Sequence, residues 1–307
     1  MKRKPLASAL FLICLGGSAA AQQAAPAASV PVALAAPMAS PAADAPAPRP
    51  DDQAFLRGMA AKSKKDYNRA VSEFTAAAAT GHTEAQYLLG LMHLRGDGVK
   101  ADIKQSITWF EKALTRSHPL AATQLGDIYE HGNGVAKNPA RAAELYEMAA
   151  LIGFAPAQTK LAALFESGTG VPLNPQAAMD WYSIAAAQGY WDAQHRLGKL
   201  MRDGQTGEFD YREALRLFEE SAKNGNTYAK VSLGDMYETG RGVPRNLGKA
   251  RQLYTEAARE GEPAGRARLA TLGRVPAETA ARPTPKALAV VKVAKQVAAP
   301  LPVTPAN

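Results

Sequence analysis

A leucine–glycine pair returns every 36 residues through most of this chain, and that period narrows the possible folds more than anything else in it. The leucines are Leu89, Leu125, Leu161, Leu197, Leu233 and Leu269, each followed in turn by Gly90, Gly126, Ala162, Gly198, Gly234 and Ala270. Two more columns keep step: Gly96, Gly132, Gly168, Gly204 and Gly240, then Gly98, Gly134, Gly170, Thr206 and Gly242. A fixed period of roughly 20–50 residues marks stacked supersecondary units that lean on their neighbours, and argues against a globular enzyme domain.

Within each period the pattern predicts two helices. First helices fall near 84–95, 119–131, 155–167, 191–203 and 227–239, and second helices near 102–116, 138–152, 174–188, 210–224 and 246–260. On a second helix Ala142, Tyr146 and Ala149 stand at i, i+4 and i+7, which is one face. Aromatic residues make up only 7% of a chain that is 47% hydrophobic, so its cores must be built from small residues. Alanines let backbones approach, while Phe74, Phe110, Tyr146, Tyr182, Phe218 and Tyr254 fill the space between units. The Gly-x-Gly-Val loop between the helices supplies positive φ, and Val99, Val135, Val171 and Val243 tuck back as staples. Thr206 and Gly207 break this pattern in the fourth unit, so the loop 203–210 is expected to be remodelled. Residues 263–272 read as a capping helix, with Gly265 where alanine is usual.

The two ends have a different character. Lys2, Arg3 and Lys4 precede an apolar run from Leu6 to Leu15 and small residues ending at Ala19-Ala20-Ala21, the order of a Sec-type signal peptide. Residues 1–21 are therefore read as an export signal and Gln22 as the mature N-terminus. About ten strongly apolar residues fall short of the roughly 20 that span a bilayer. The single cysteine, Cys14, lies inside the run behind Phe11, Leu12 and Ile13, which is no lipobox, so the mature chain has no thiol and no disulfide. Residues 22–50, rich in Ala and Pro, read as a disordered linker, and residues 274–307 as a disordered basic Pro/Ala/Val tail. The formal charge of +8 belongs to these ends: +3 sits on residues 2–4 and +4 on residues 274–307, leaving +1 for residues 51–273. That near-neutral body excludes a nucleic-acid partner, and it leaves an acidic envelope polymer as a candidate partner for the tail alone.

Residues 51–81 carry Gly58, Ala70, Phe74 and Ala77 with gaps of 12, 4 and 3, a unit that resembles the helix-turn-helix of a tetratricopeptide repeat. Later units are four residues longer between the helices and two shorter after them. The full frame is Ala121-(x)3-Leu125-Gly126-x-x-Tyr129-x-x-Gly132-x-Gly134-Val135, then Ala142-(x)3-Tyr146-(x)2-Ala149-Ala150-x-x-Gly153. It recurs from Ala85, Ala157, Ala193 and Ala229, and on these residues the stretch 82–273 resembles the Sel1-like repeat family, a branch of the tetratricopeptide superfamily. The resemblance implies an all-α, right-handed α/α solenoid. It also implies a non-catalytic scaffold, of the kind that organises envelope assemblies, restrains sensor kinases or contacts host proteins. A hydrolase is suggested only by a cysteine-rich branch whose cysteines this chain lacks.

No residue pattern announces catalysis or a cofactor. His82, His93, His118, His131 and His195 form no H-E-x-x-H pair, and no P-loop, dinucleotide fingerprint or Gly-x-Ser-x-Gly elbow is present. His82 and His118 are equivalent turn positions in adjacent units, expected to be exposed and too far apart to share a metal ion. A solenoid offers instead a concave surface lined by first helices. Counted from the Leu-Gly pair, the groove-facing residues are Tyr87, Leu91 and Arg95; Asp127, Glu130 and His131; Glu166; His195, Lys199 and Arg202; and Tyr228, Asp235 and Glu238. A protein or peptide ligand is the expected occupant, with His195, Lys199 and Arg202 as its electropositive anchor. An envelope glycan is the alternative. The destination expected from the signal is the periplasm or the cell exterior.

Overall fold

The computed structural model describes residues 50–272, with Thr206 and Glu208 left out. The export signal, Cys14, the linker up to residue 49 and the basic tail 274–307 lie outside the described residues. Pro50, expected to close the linker, instead opens the first helix.

Among the described residues there are thirteen α-helices and no strand. An opening pair, α1 (Pro50–Ser63) and α2 (Tyr67–Ala79), precedes five repeats. First helices are α3 (Thr83–Arg95), α5 (Pro119–His131), α7 (Ala155–Ser167), α9 (Trp191–Asp203) and α11 (Thr227–Thr239). Second helices are α4 (Ile103–Leu114), α6 (Pro139–Leu151), α8 (Pro175–Ala187), α10 (Tyr211–Lys223) and α12 (Leu247–Arg259), and α13 (Pro263–Thr271) closes the stack. These bounds lie within two residues of those expected from the repeat. Every helix packs on the next, and α5, α7 and α9, like α11 and α13, also meet as neighbouring first helices. The stack is therefore tighter along its first-helix side.

The sequence sets each helix end by local hydrogen bonding. Asp66, Asp102, Asn138, Asn174, Asp210 and Asn246, one per unit, cap the second helices by accepting backbone N–H groups that would otherwise be unpaired. First helices stop at a left-handed glycine: Gly96, Gly132, Gly168, Gly204 or Gly240. First-helix N-caps are less uniform, and here the structure corrects the exposed turn expected for His82 and His118. Ring Nδ1 of His118 accepts the Ala121 N–H, Nε2 lies 2.9 Å from Glu84, and the ring stacks on Tyr87 at 4.8 Å. His82 repeats the arrangement, accepting from Ala85 and stacking on Phe55 at 4.2 Å. Both rings tie one unit to the next.

The aromatic column Phe74, Phe110, Tyr146, Tyr182, Phe218 and Tyr254 is fully buried. Five of these rings lie against a first-helix glycine, Gly58, Gly90, Gly126, Gly198 or Gly234; a Cβ at Gly126 would stand 2.3 Å from the Tyr146 ring, which is why glycine fills most of that column. The loop staples are half-buried, with Val135, Val171 and Val243 packed onto the apolar clusters. The second loop glycine has a further role. A Cβ on Gly170 would lie 2.3 Å from the carbonyl carbon of Pro139, and its φ of +74° is already unfavourable to a side chain. Gly170 thus rests on the first residue of the preceding repeat's second helix. Gly170→Ala is expected to lower stability by about 2 kcal/mol, against about 1 kcal/mol for Gly153→Ala, whose φ of +89° faces open space. Denaturant midpoints compare the two, and equal losses would remove the loop contact from the account.

Candidate functional site

The first-helix face is built around the tyrosines of the second helices. The Tyr146 hydroxyl lies 2.5 Å from Asp127 and 2.7 Å from Glu130, both on α5. Its one proton is shared between two carboxylates, and Lys160 of α7 balances them from 2.8 Å on Asp127. Tyr254 meets Asp235 and Glu238 at 2.7 and 2.8 Å, and Arg268 of α13 forks onto Asp235 with both contacts at 3.0 Å. Tyr182 donates to Glu166 at 2.7 Å, and Arg196 of α9 reaches the same hydroxyl while pairing with Asp192 at 3.0 Å. Burial first, and then the carboxylates, hold all three hydroxyls far above the usual phenol range, so they remain donors. Burial likewise raises Asp235, against the Tyr254 hydrogen bond and Arg268.

A rule runs through the repeats. Where the second-helix aromatic is tyrosine, the first helix carries acids beneath its hydroxyl and the next repeat supplies a cation: Lys160, Arg196 or Arg268. Where it is phenylalanine, as at Phe110 and Phe218, the acid positions hold Leu91 and Leu94 or Lys199 and Arg202, and the cation position holds Gln124 or Ser232. A phenyl ring offers no donor, so a carboxylate beside it would be buried without a partner.

These geometries revise the groove expected from the sequence. Tyr87 is 8% exposed and belongs to the core, between His118 and Phe110, because its ring is the stacking partner of the His118 cap. Asp127, Glu130, Glu166, Asp235 and Glu238 answer the tyrosine hydroxyls. The basic trio is weaker than its composition. His195, packed against Phe218 and 3.0 Å from Ser232, is pushed down to about 4 by burial and by Lys199, Arg196 and Arg202. Arg202 is held by Asp203 through two hydrogen bonds of 2.7 and 3.1 Å. Of the three, Lys199 remains exposed, as do Arg95, His131 and Tyr228 elsewhere on the first helices.

His195 carries a pH signature. The unfolded side chain titrates near 6.5 and the folded one at about 4, so between these values the unfolded chain binds more protons. Its contribution is complete above pH 6.5 and is lost as pH falls toward 4, by about 1–2 kcal/mol. Melting curves at pH 7.5 and 4.5 should show that loss in the parent and a smaller one in His195→Gln; identical slopes would assign the acid lability elsewhere.

The first helices also enclose space. A cavity of about 270 Å³ opens between α5, α7 and α9, and Lys160, Tyr190, Asp192 and Arg196, which sequence reasoning passed over, lie on its wall. For Lys160 and Arg196 the signal was the way the cation column follows the Phe/Tyr column from repeat to repeat. Among the described residues no three His, Cys, Asp or Glu side chains converge as a metal ion would require, and no helix is long and apolar enough to cross a membrane.

Comparison with known proteins follows the same frame. The Sel1 repeat model matches residues 83–118, 119–154, 155–190, 191–226 and 227–262, more than half of the chain. A Sel1 repeat protein from Oxalobacter formigenes is similar at 27% identity and a TM-score of 0.67, over 81% of this chain and 99% of that one. Also similar is c5321, described as a protective antigen of uropathogenic Escherichia coli displaying an SLR fold, at 28% identity and a TM-score of 0.67 over 80% of this chain. The chain spans about half of that antigen, 54% of its length. No curated protein matches. Five consecutive repeats in one frame, and solved relatives of the same architecture, place the chain in the Sel1 repeat family.

Proposed function

We propose that this protein is an exported, non-catalytic scaffold that holds a protein or peptide partner on the first-helix face, in the periplasm or outside the cell. The observation that carries the proposal is the cavity between α5, α7 and α9, where charged and aromatic side chains from three repeats converge. Exposed Tyr228, Lys199, Arg95 and His131 extend that surface to either side, and aromatic and basic side chains of this kind dominate the energetics of protein interfaces. Sel1 repeats commonly serve protein interaction, which supports the same reading. Asp127, Glu130, Glu166, Asp235 and Glu238 each accept a hydrogen bond from a tyrosine hydroxyl, a structural use that supports the scaffold reading. Export is supported by Lys2-Arg3-Lys4, the apolar run after them and Ala19-Ala20-Ala21.

A photo-crosslinking residue placed at Tyr228, Lys199 or Arg212 in the full chain tests this in intact cells. Arg212 is exposed on a second helix and serves as the control. The expected result is one shared partner from the first two positions and none from the third. Equal crosslinking from Arg212, or capture that depends only on residues 274–307, would move the function off this face.

A further inference from the structure

Glu130 and Asp192 face Lys160 and Arg196 on the cavity wall, and Asp127, bonded to Lys160, adds a third carboxylate against the two cations. Lys160 is matched by Asp127 at 2.8 Å, and Arg196 by Asp192 at 3.0 Å and by the Tyr182 hydroxyl. Glu130 has a hydrogen bond from Tyr146 at 2.7 Å and, among the described residues, no ion pair. Its exposed neighbour His131 turns Nδ1 to the Asp127 carbonyl at 2.9 Å, a contact in which Nδ1 must donate, so in the neutral ring Nε2 is the acceptor. Across the cavity Tyr190 presents a half-buried ring. What remains without a cation of its own on this wall is therefore Glu130, since Lys160 and Arg196 are each matched by another carboxylate. An incoming carboxylate would find both cations already matched and would meet Glu130.

We infer that this cavity receives the arginine or lysine side chain of a bound peptide segment, with Glu130 as its counter-charge, His131 Nε2 as a second acceptor and the Tyr190 ring as a cation–π wall. The inference rests on the first-helix face being the partner surface, and it names the chemistry of the segment held there. Size agrees: about 270 Å³ is below the roughly 300–1,000 Å³ of small-molecule sites and suits one long side chain. A basic segment also differs from the ligand that an electropositive anchor at His195, Lys199 and Arg202 would favour.

The test is a titration of the full chain with four nine-residue Gly/Ser peptides carrying three arginines, lysines, citrullines or glutamates at alternate positions. Citrulline keeps the shape of arginine without its charge. Arginine and lysine peptides should bind about tenfold more tightly than the citrulline peptide, and the glutamate peptide should be weakest. Glu130→Gln, whose amide oxygen can still accept from Tyr146, should abolish most of that margin while leaving the denaturation midpoint close to the parent's. His131→Ala, at an exposed position, should weaken arginine binding by about threefold. Arginine affinity unchanged in Glu130→Gln, a glutamate peptide that binds as well, or no binding by any peptide would each overturn the inference. In all three cases the crosslinks from Tyr228 and Lys199 still decide independently whether this face holds a partner.

Discussion

Phe110→Ala is expected to lower stability by about 3–5 kcal/mol, the usual range for a buried aromatic truncated to a methyl group. Phe110 is fully buried, its ring lies beneath Gly90, and Tyr87 stands 5.9 Å away, centroid to centroid. The seat is tight: a Cβ on Gly90 would lie 2.4 Å from the ring, and Ser106, one turn earlier on α4, is tied to the Gly90 carbonyl by a hydrogen bond of 2.7 Å. The loss falls on one junction of a stack in which every unit depends on its neighbours. Guanidinium unfolding followed by circular dichroism should therefore show an earlier transition for the first repeats, separated from that of the rest. A single transition displaced by less than about 1 kcal/mol would show that the aromatic column is not what joins the repeats.

Tyr254→Phe removes one oxygen, yet about 3 kcal/mol is expected to go with it, since the change leaves the carboxylates of Asp235 and Glu238 without their shared donor. Glu238 is 3% exposed and cannot recover the lost bond from bulk water, while Asp235 keeps its fork from Arg268. The phenylalanine repeat shows the remedy. Giving Asp235 and Glu238 the leucines found at positions 91 and 94 should restore most of the stability of Tyr254→Phe, while the same leucines beneath an intact Tyr254 should cost more than they do beneath phenylalanine. The coupling is read from a double-mutant cycle in urea. Additive effects would mean that tyrosine and acids share a repeat without sharing an interaction.

These two substitutions mark where the sequence was readable. The period, the helix pairs and the aromatic column could be read because they rest on local rules: Asp or Asn before each second helix, glycine after each first helix, and a 3.6-residue spacing between buried positions. Asp127, Glu130, Asp235 and Glu238 were read as groove-facing side chains, and the tyrosine hydroxyls that engage them went unseen. A helical wheel gives the direction of a side chain, while the hydroxyl that claims it sits 16 or 19 residues later on another helix. Lys160, Arg196 and Arg268 went unnoticed because their partners lie in the preceding repeat or on a turn of their own helix. His118 looked exposed because only the stacked neighbour supplies Tyr87 and Glu84 to bury it. Burial of His195 by Phe218 and Tyr228 also joins two units, so composition made it a cation and the fold keeps it neutral.

The backward reach of the loops gives the stack a direction. Gly98, Gly134, Gly170 and Gly242 each settle on the residue that opens the preceding unit's second helix: Tyr67, Ile103, Pro139 and Tyr211. No loop can close until its predecessor stands, whereas a unit needs nothing from its successor in order to seat its own loop. A chain delivered N-terminus first always has that seat ready, with α1 and α2 as the foundation. Growth in the opposite order would leave each new loop with nothing to rest on.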